Sequence, residues 1–132
     1  MPQIIVDTDV FSYIFKKDSR ALPFRSYVDG IEICLAFATV AELFFGAYNA
    51  NWGSKTFAEM EKELTKYMIL RSNYNICRLY GKGRFKCKKQ QIDDPDYWIA
   101  ACARYYNVPL LTNNWRHFKD IEGLQLVSPG HS

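Results

Sequence analysis

Residues 4–10 read IIVDTDV, an apolar run of β-branched residues that ends in a carboxylate, Asp7. A strand that is buried on both faces of a parallel sheet has this composition. In open α/β sheets, ligands bind at the carboxyl ends of the strands. The stretch therefore predicts a buried first strand that carries Asp7 to the edge of a sheet where ligands bind.

Further strands and helices alternate along the rest of the chain. Apolar runs at residues 31–37, 68–70, 108–112 and 124–127 predict strands, and helical spacing of apolar residues separates them. This alternation favours a parallel sheet with helices on both faces. We therefore expect one α/β domain over residues 1–132, with a central sheet of about four to five strands.

Composition narrows the class of protein. The chain has 132 residues, of which 48% are hydrophobic and 23% charged, as is typical of a folded globular domain. No apolar run is long enough to span a bilayer, and no basic leader precedes Ile4. We therefore expect a cytoplasmic protein without a membrane segment. The four cysteines are scattered, which favours neither a disulfide framework nor a zinc site.

Three acids are predicted to meet at one edge of the sheet. Asp7 ends a strand, and Glu42 and Asp96 each lie in the first turn of a predicted helix. At about 4 Å and an effective dielectric near 20, each pair of carboxylates would repel by on the order of 4 kcal/mol. Such acids take up protons, spread into water or bind a cation. Oxygen ligands favour Mg²⁺ or Mn²⁺.

Most of the acids also have a purely structural alternative. Glu42 would only close a T-x-x-E capping box, and Asp96 would only complement a helix dipole. Asp9 and Asp94 would each cap a helix. Asp7 has no such role toward the strand that it follows, so it carries the functional prediction.

A basic segment lies in the second half of the chain. Between Leu64 and Ile92 there is no Asp or Glu, and aromatic residues are interleaved with the positive charges. A solvated basic face is the simpler interpretation, but the pattern is also typical of surfaces that bind nucleic acid. The residues of this segment that we expect to contact RNA are Arg78, Lys82, Arg84, Lys86, Lys88 and Lys89.

Four motifs resemble those of the PIN-domain ribonucleases, most closely the VapC-type toxins of prokaryotic toxin–antitoxin pairs. They are DTDV (7–10), TVAELFFGA (39–47), DYWIAA (96–101) and LTNNWRHF (111–118), in the family's order. The resemblance implies a PIN fold and a Mg²⁺- or Mn²⁺-dependent endoribonuclease that cuts tRNA or other structured RNA. It also implies a cognate antitoxin that blocks the acidic pocket, and a homodimer.

The resemblance assigns candidate site residues. Asp7, Glu42 and Asp96 match the family's metal-binding acids, and Asn114 falls where the family has Asp or Asn. Thr112 would be the hydroxyl that fixes the site. In the mechanism that we expect, a water activated by the metal attacks the phosphorus and leaves a 5′-phosphate and a 3′-hydroxyl.

Two positions depart from the family's pattern. Many members carry Asn where Asp9 stands and an acid where His117 stands. Asp9 adds a negative charge near the expected metal and His117 removes one, so either one or two ions remain possible. Taken alone, His117 is interpreted as a surface or capping residue. Arg116, in the same motif, would support the site by contacting phosphate.

Two other functions fit parts of the sequence. The start of the chain also resembles haloacid-dehalogenase-like phosphatases, in which Asp7 would be the nucleophile. Such proteins need an acidic pair after a late strand, and this chain has TNN at residues 112–114. The second alternative is a PIN fold without turnover that binds RNA or a partner, which Asn114 and His117 leave open.

Overall fold

The fold is built on one parallel sheet. The computed structural model describes residues 2–90 and 92–131. Within them, five strands pair in the order β3-β2-β1-β4-β5. The strands are β1 (Gln3–Val6), β2 (Glu32–Ala36), β3 (Met68–Leu70), β4 (Leu110–Leu111) and β5 (Leu126–Val127). The predicted parallel sheet of four to five strands is confirmed.

Helices connect the strands. The described residues form α1 (Thr8–Phe15), a 3-10 helix (Ser19–Phe24), α2 (Arg25–Val28), α3 (Phe37–Asn49), α4 (Ser54–Leu64), α5 (Tyr74–Lys86), α6 (Asp94–Tyr106) and α7 (Trp115–Phe118). In this part of the chain, no helix combines the length and the apolar character that a membrane span requires.

Neighbouring residues of the central strands pack into two different cores, one on each face of the sheet. Ile5 lies in the core formed with α5 and α6, whereas Ile4 and Val6 lie in the core formed with α1. Cys34 and Leu35 of β2 alternate in the same way. Because both faces are covered, these strands are apolar after their first residues, Gln3 and Glu32, as the sequence predicted.

The strand order reverses at β1. The chain runs outward from β1 through β2 to β3, and then returns to pair β4 with the other side of β1. In open α/β sheets such a reversal of strand order marks the place where ligands bind. Asp7 follows β1 and Thr112 follows β4, so both lie at this reversal of strand order, at the carboxyl ends of the two strands.

The start of α1 differs from the prediction. Asp7 is the N-cap, because its Oδ1 accepts a hydrogen bond from the backbone N–H of Val10 at 2.9 Å. Asp9 lies in the first turn instead, so the prediction that Asp9 caps this helix is wrong. A single carboxylate thus ends the first strand and begins the first helix.

The starts of α3 and α6 also differ from the prediction. α3 begins at Phe37, directly after β2, so Thr39 lies inside the helix and is fully buried. The predicted capping box therefore does not form, and Glu42 is available for another contact. α6 begins one residue earlier than predicted, with Asp93 rather than Asp94 as its N-cap.

The two-sided burial of β1 gives a stability prediction. Replacing fully buried Ile5 by alanine should lower the free energy of unfolding by about 2–5 kcal/mol, because it leaves a cavity between the sheet and its helices. Ile69→Ala, in edge strand β3 where the side chain is 39% exposed, is the matched control and should cost clearly less. Urea unfolding measures both. Equal losses would contradict the assignment of β1 as the centre of the fold.

Candidate active site at the carboxyl edge of the sheet

Asp7 is a buried carboxylate held by neutral donors. It is only 4% exposed, and while its Oδ1 caps α1, its Oδ2 accepts a hydrogen bond from the hydroxyl of Thr112. Thr112 is itself fully buried, and its Oγ1 accepts the backbone N–H of Asn114 at 2.8 Å. The carboxylate is thus fixed from two sides, by the helix after β1 and by the loop after β4.

Burial makes the charge of Asp7 unfavourable. Removal from water raises the pKa of Asp7 from 3.8 to about 6. The hydrogen bonds from Thr112 and Val10 lower this pKa, and the charges of Asp9 and Asp96 raise it again. At neutral pH the site therefore holds a negative charge that a nearby cation would stabilise.

Glu42 reaches the same edge from α3. Its Oε1 accepts a hydrogen bond from the hydroxyl of Thr8 at 2.5 Å, and Thr8 Oγ1 also lies 3.3 Å from the hydroxyl of Thr39. Burial raises the pKa of Glu42, the bond from Thr8 lowers it, and the charges of Asp96 and Asp9 raise it. Glu42 is thus oriented toward α1 and does not cap its own helix.

Asp96 lies in the first turn of α6 and contacts α7. Its Oδ2 is 3.0 Å from Nδ1 of His117, and the two side chains are 18% and 31% exposed. Burial raises the pKa of Asp96, the hydrogen bond and charge of His117 lower it, and the charges of Asp93 and Asp9 raise it. The charge of Asp96 in turn raises the pKa of both Asp7 and Glu42.

The other predicted site residues lie on the surrounding elements. Asp9 is exposed on α1, and its charge acts on all three acids. Asn114 is half-buried at the start of α7, where its backbone supports Thr112. Arg116 is exposed on α7. The acids, Thr112 and Asn114 therefore all lie at the carboxyl edge of the sheet.

The donor set suits a hard divalent cation. Asp7, Glu42 and Asp96 offer carboxylate oxygens, which Mg²⁺ and Mn²⁺ prefer. Among residues 2–90 and 92–131, however, no three His, Cys, Asp or Glu side chains stand close enough together to form a ready-made metal cage. Mg²⁺ usually keeps several waters and takes only one or two carboxylates, so these residues fit it by chemical type.

Two partners of the acids were not found from the sequence. Thr8 directly follows Asp7, and its hydroxyl contacts Glu42, which lies 34 residues further along the chain. His117 was interpreted as a surface or capping residue, but it bonds Asp96. The position of His117 in the sequence could have indicated this role, because the family's pattern places an acid of the site there.

The basic segment is partly engaged in ion pairs. Arg84 and Lys86 pair with acids of α6 and of the loop before β5, at 2.6 and 2.8 Å. These pairs are exposed, so they hold the side chains only weakly. Arg78 and Lys82 line an open cleft of about 400 Å³. The last two lysines of the predicted set, Lys88 and Lys89, follow α5 and are exposed.

The raised pKa of Asp7 predicts a pH-dependent effect of Asp7→Asn. Protonated Asp7 favours the folded state below about pH 4, and this advantage is lost as pH rises through about 6. The amide of Asn cannot ionise, so the variant keeps the advantage. Its gain in unfolding free energy should rise from near zero at low pH to on the order of 2–3 kcal/mol at neutral pH.

Urea unfolding in EDTA across this pH range measures the gain. Asp29→Asn, at an exposed position, is the control and should show no such trend. A gain for Asp7→Asn that does not change with pH would contradict the burial of a charged carboxylate.

Comparisons of the sequence with known proteins identify the family of this chain. A match to the PIN domain family spans residues 4–124. Ribonuclease VapC1 of Haemophilus influenzae (strain R2866) is 30% identical over 125 residues, which cover 92% of this chain and 93% of that protein. The tRNA(fMet)-specific endonuclease VapC of Shigella flexneri is 22% identical, over 95% of this chain and 96% of that protein.

A solved structure from the same group of proteins has the same fold. VapBC-1 from nontypeable Haemophilus influenzae has a chain that matches this fold with a TM-score of 0.83 at 27% identity, covering 98% of this chain and 99% of that one. These matches favour the nuclease hypothesis over the phosphatase alternative. The chain therefore belongs to the PIN-domain family and, within it, to the VapC ribonucleases.

Proposed function

We propose that the protein is a divalent-metal-dependent endoribonuclease and the toxin of a toxin–antitoxin pair. The observation that carries the proposal is that Asp7, Glu42 and Asp96 come from three elements to the carboxyl edge of the sheet, where burial raises the pKa of each and the charge of Asp96 raises the pKa of the other two. Membership in the PIN family and the likeness to Ribonuclease VapC1 support cleavage of RNA.

Asp7, Glu42 and Asp96 would hold the ion, directly or through its waters. When bound, a divalent ion supplies activation of water and neutralisation of charge on a phosphodiester. The chain's own part is to hold the carboxylates in place: Thr112 fixes Asp7 and Thr8 fixes Glu42. We expect products with a 5′-phosphate and a 3′-hydroxyl.

Transfer RNA is the substrate that we propose. The support is that one relative, which matches nearly the whole chain, is named a tRNA(fMet)-specific endonuclease. The basic segment, with Arg78 and Lys82 at an open cleft, suits the phosphates of a folded RNA. Arg116, exposed on α7, would contact phosphate nearer the acids.

An antitoxin is the protein partner that we propose. A cleft of about 500 Å³ between α3 and α6 is lined by the aromatic side chains of Phe45 and Trp98 and by the acids Glu42 and Asp94. Phe45 is 72% exposed, which is unusual for a large apolar side chain. A segment with apolar and basic side chains would match this cleft in shape and charge. The solved VapBC-1 assembly supports the proposal, and a homodimer in the cytoplasm is our further expectation.

Conservative variants of the acids test the nuclease proposal. Asp7→Asn, Asp96→Asn and Glu42→Gln should each slow RNA cleavage by about 100-fold or more, because each removes a negative ligand at little change in shape. EDTA should abolish cleavage by the parent protein, and Mg²⁺ or Mn²⁺ should restore it. Gel assays on labelled tRNA measure the rates, and Asp29→Asn is the matched control.

Three results would contradict parts of this proposal. Cleavage at the parent rate by Asp7→Asn or Asp96→Asn would remove the acids from the mechanism. Cleavage that EDTA does not slow would remove the metal. RNA binding by the parent without metal-stimulated cleavage, on several RNAs, would favour the non-catalytic alternative.

The basic segment is tested separately by its salt dependence. The double variant Arg78→Gln/Lys82→Gln should weaken RNA binding and reduce the slope of log affinity against log salt by about one per charge removed. Binding is measured in the Asp7→Asn background, so that the RNA stays intact. Lys55→Gln, an exposed lysine of α4 outside the segment, is the control. An unchanged slope would show that the RNA does not bind at Arg78 and Lys82.

A further inference from the structure

We propose that His117 is a positioning residue for Asp96: its Nδ1–H holds Oδ2 of the carboxylate, so that Asp96 is oriented to serve a divalent ion. The two atoms are 3.0 Å apart. With Asp96 ionised, the proton of this hydrogen bond belongs to the imidazole, because a carboxylate only accepts. The inference rests on the proposed function, since it concerns the same acids.

The short helix that carries His117, α7, is held in place by its neighbours. The next residue, Phe118, is 1% exposed and belongs to the core under α6. Trp115, one turn earlier, stacks on the ring of His131 with ring centres 4.3 Å apart. The backbone N–H of His117 donates to the carbonyl of Asn114 at 3.0 Å. The imidazole is therefore presented to Asp96 from a fixed short helix.

The His117–Asp96 contact completes a pattern. Asp7 accepts a hydroxyl hydrogen bond from Thr112, and Glu42 accepts one from Thr8. Asp96 accepts its side-chain hydrogen bond from His117. Each acid is thus held by a donor from another element. Glu42 and Asp96 use one carboxylate oxygen in these contacts, whereas the second oxygen of Asp7 caps α1. Such supporting hydrogen bonds fix the orientation of metal-binding carboxylates.

The position explains why a histidine can stand where many PIN-domain members carry an acid. An acid there would add a fourth negative charge to a site whose three acids already have raised pKa values. An imidazole donor instead lowers the pKa of Asp96 through its hydrogen bond. A histidine at this position thus removes one possible carboxylate ligand, and its hydrogen bond supports another, Asp96.

The test is binding of Mn²⁺ to the full-length protein, followed by the paramagnetic resonance of the free ion. His117→Ala should weaken the affinity by about 10–100-fold, the usual effect of removing such a support. His117→Asn should restore most of it, because the amide nitrogen of Asn and Nδ1 of His are both attached to Cγ. Lys119→Gln, one residue beyond α7, is the control and should bind as the parent does.

A coupling measurement separates positioning from a general loss of structure. In an Asp96→Asn background, His117→Ala should weaken Mn²⁺ binding no further, because the carboxylate that it supports is gone. Urea unfolding in EDTA shows whether each variant is folded. Rescue by Asn would not be expected if His117 served only to pack α7.

Other outcomes overturn the inference in distinguishable ways. Parent-like Mn²⁺ affinity of His117→Ala shows that His117 positions nothing, while the nuclease proposal stands. Loss in His117→Asn with retention in His117→Gln, whose amide reaches about as far as Nε2, shows direct ligation by the ring. A parent protein that neither binds Mn²⁺ nor cuts RNA overturns this inference and the proposed function together.

Discussion

The structure depends on one buried charge at the centre of its sheet. Asp7 follows the central strand β1, caps the first helix through one oxygen and accepts the hydroxyl of Thr112 through the other. The same residue therefore ties β1, α1 and the loop after β4 together. Burial makes its ionised form unfavourable, and the charges of Asp9 and Asp96 add to this. A nearby cation would stabilise this charge at neutral pH.

The remaining parts of the site follow from the topology. Since the chain returns past β1 to form β4, the ends of both strands and the starts of α3 and α6 lie at one edge. Hydroxyl and imidazole donors then hold the acids: Thr112, Thr8 and His117. The hydrogen bonds offset the effect of burial only partly, because the pKa values of all three acids stay raised.

The sequence predicted more of the fold than of the contacts. Apolar runs of β-branched residues identified β1 and the parallel sheet, because burial on both faces leaves no room for polar residues. Helix starts were harder: T-x-x-E at 39–42 has the pattern of a capping box, but α3 begins earlier, since β2 turns directly into the helix at Ala36. Thr8 and His117 were missed because their partners lie 34 and 21 residues away, and only the folded chain brings them together.

The central claim is that the buried carboxylates share a divalent ion. The most direct measurement is a pH titration of the Asp7 carboxyl carbon by NMR on ¹³C-labelled protein, first in EDTA and then with saturating Mg²⁺. The account predicts a pKa near 6 in EDTA and a clear fall when Mg²⁺ is present, because a bound cation favours the ionised form. The same pKa for Asp7 under both conditions would contradict it.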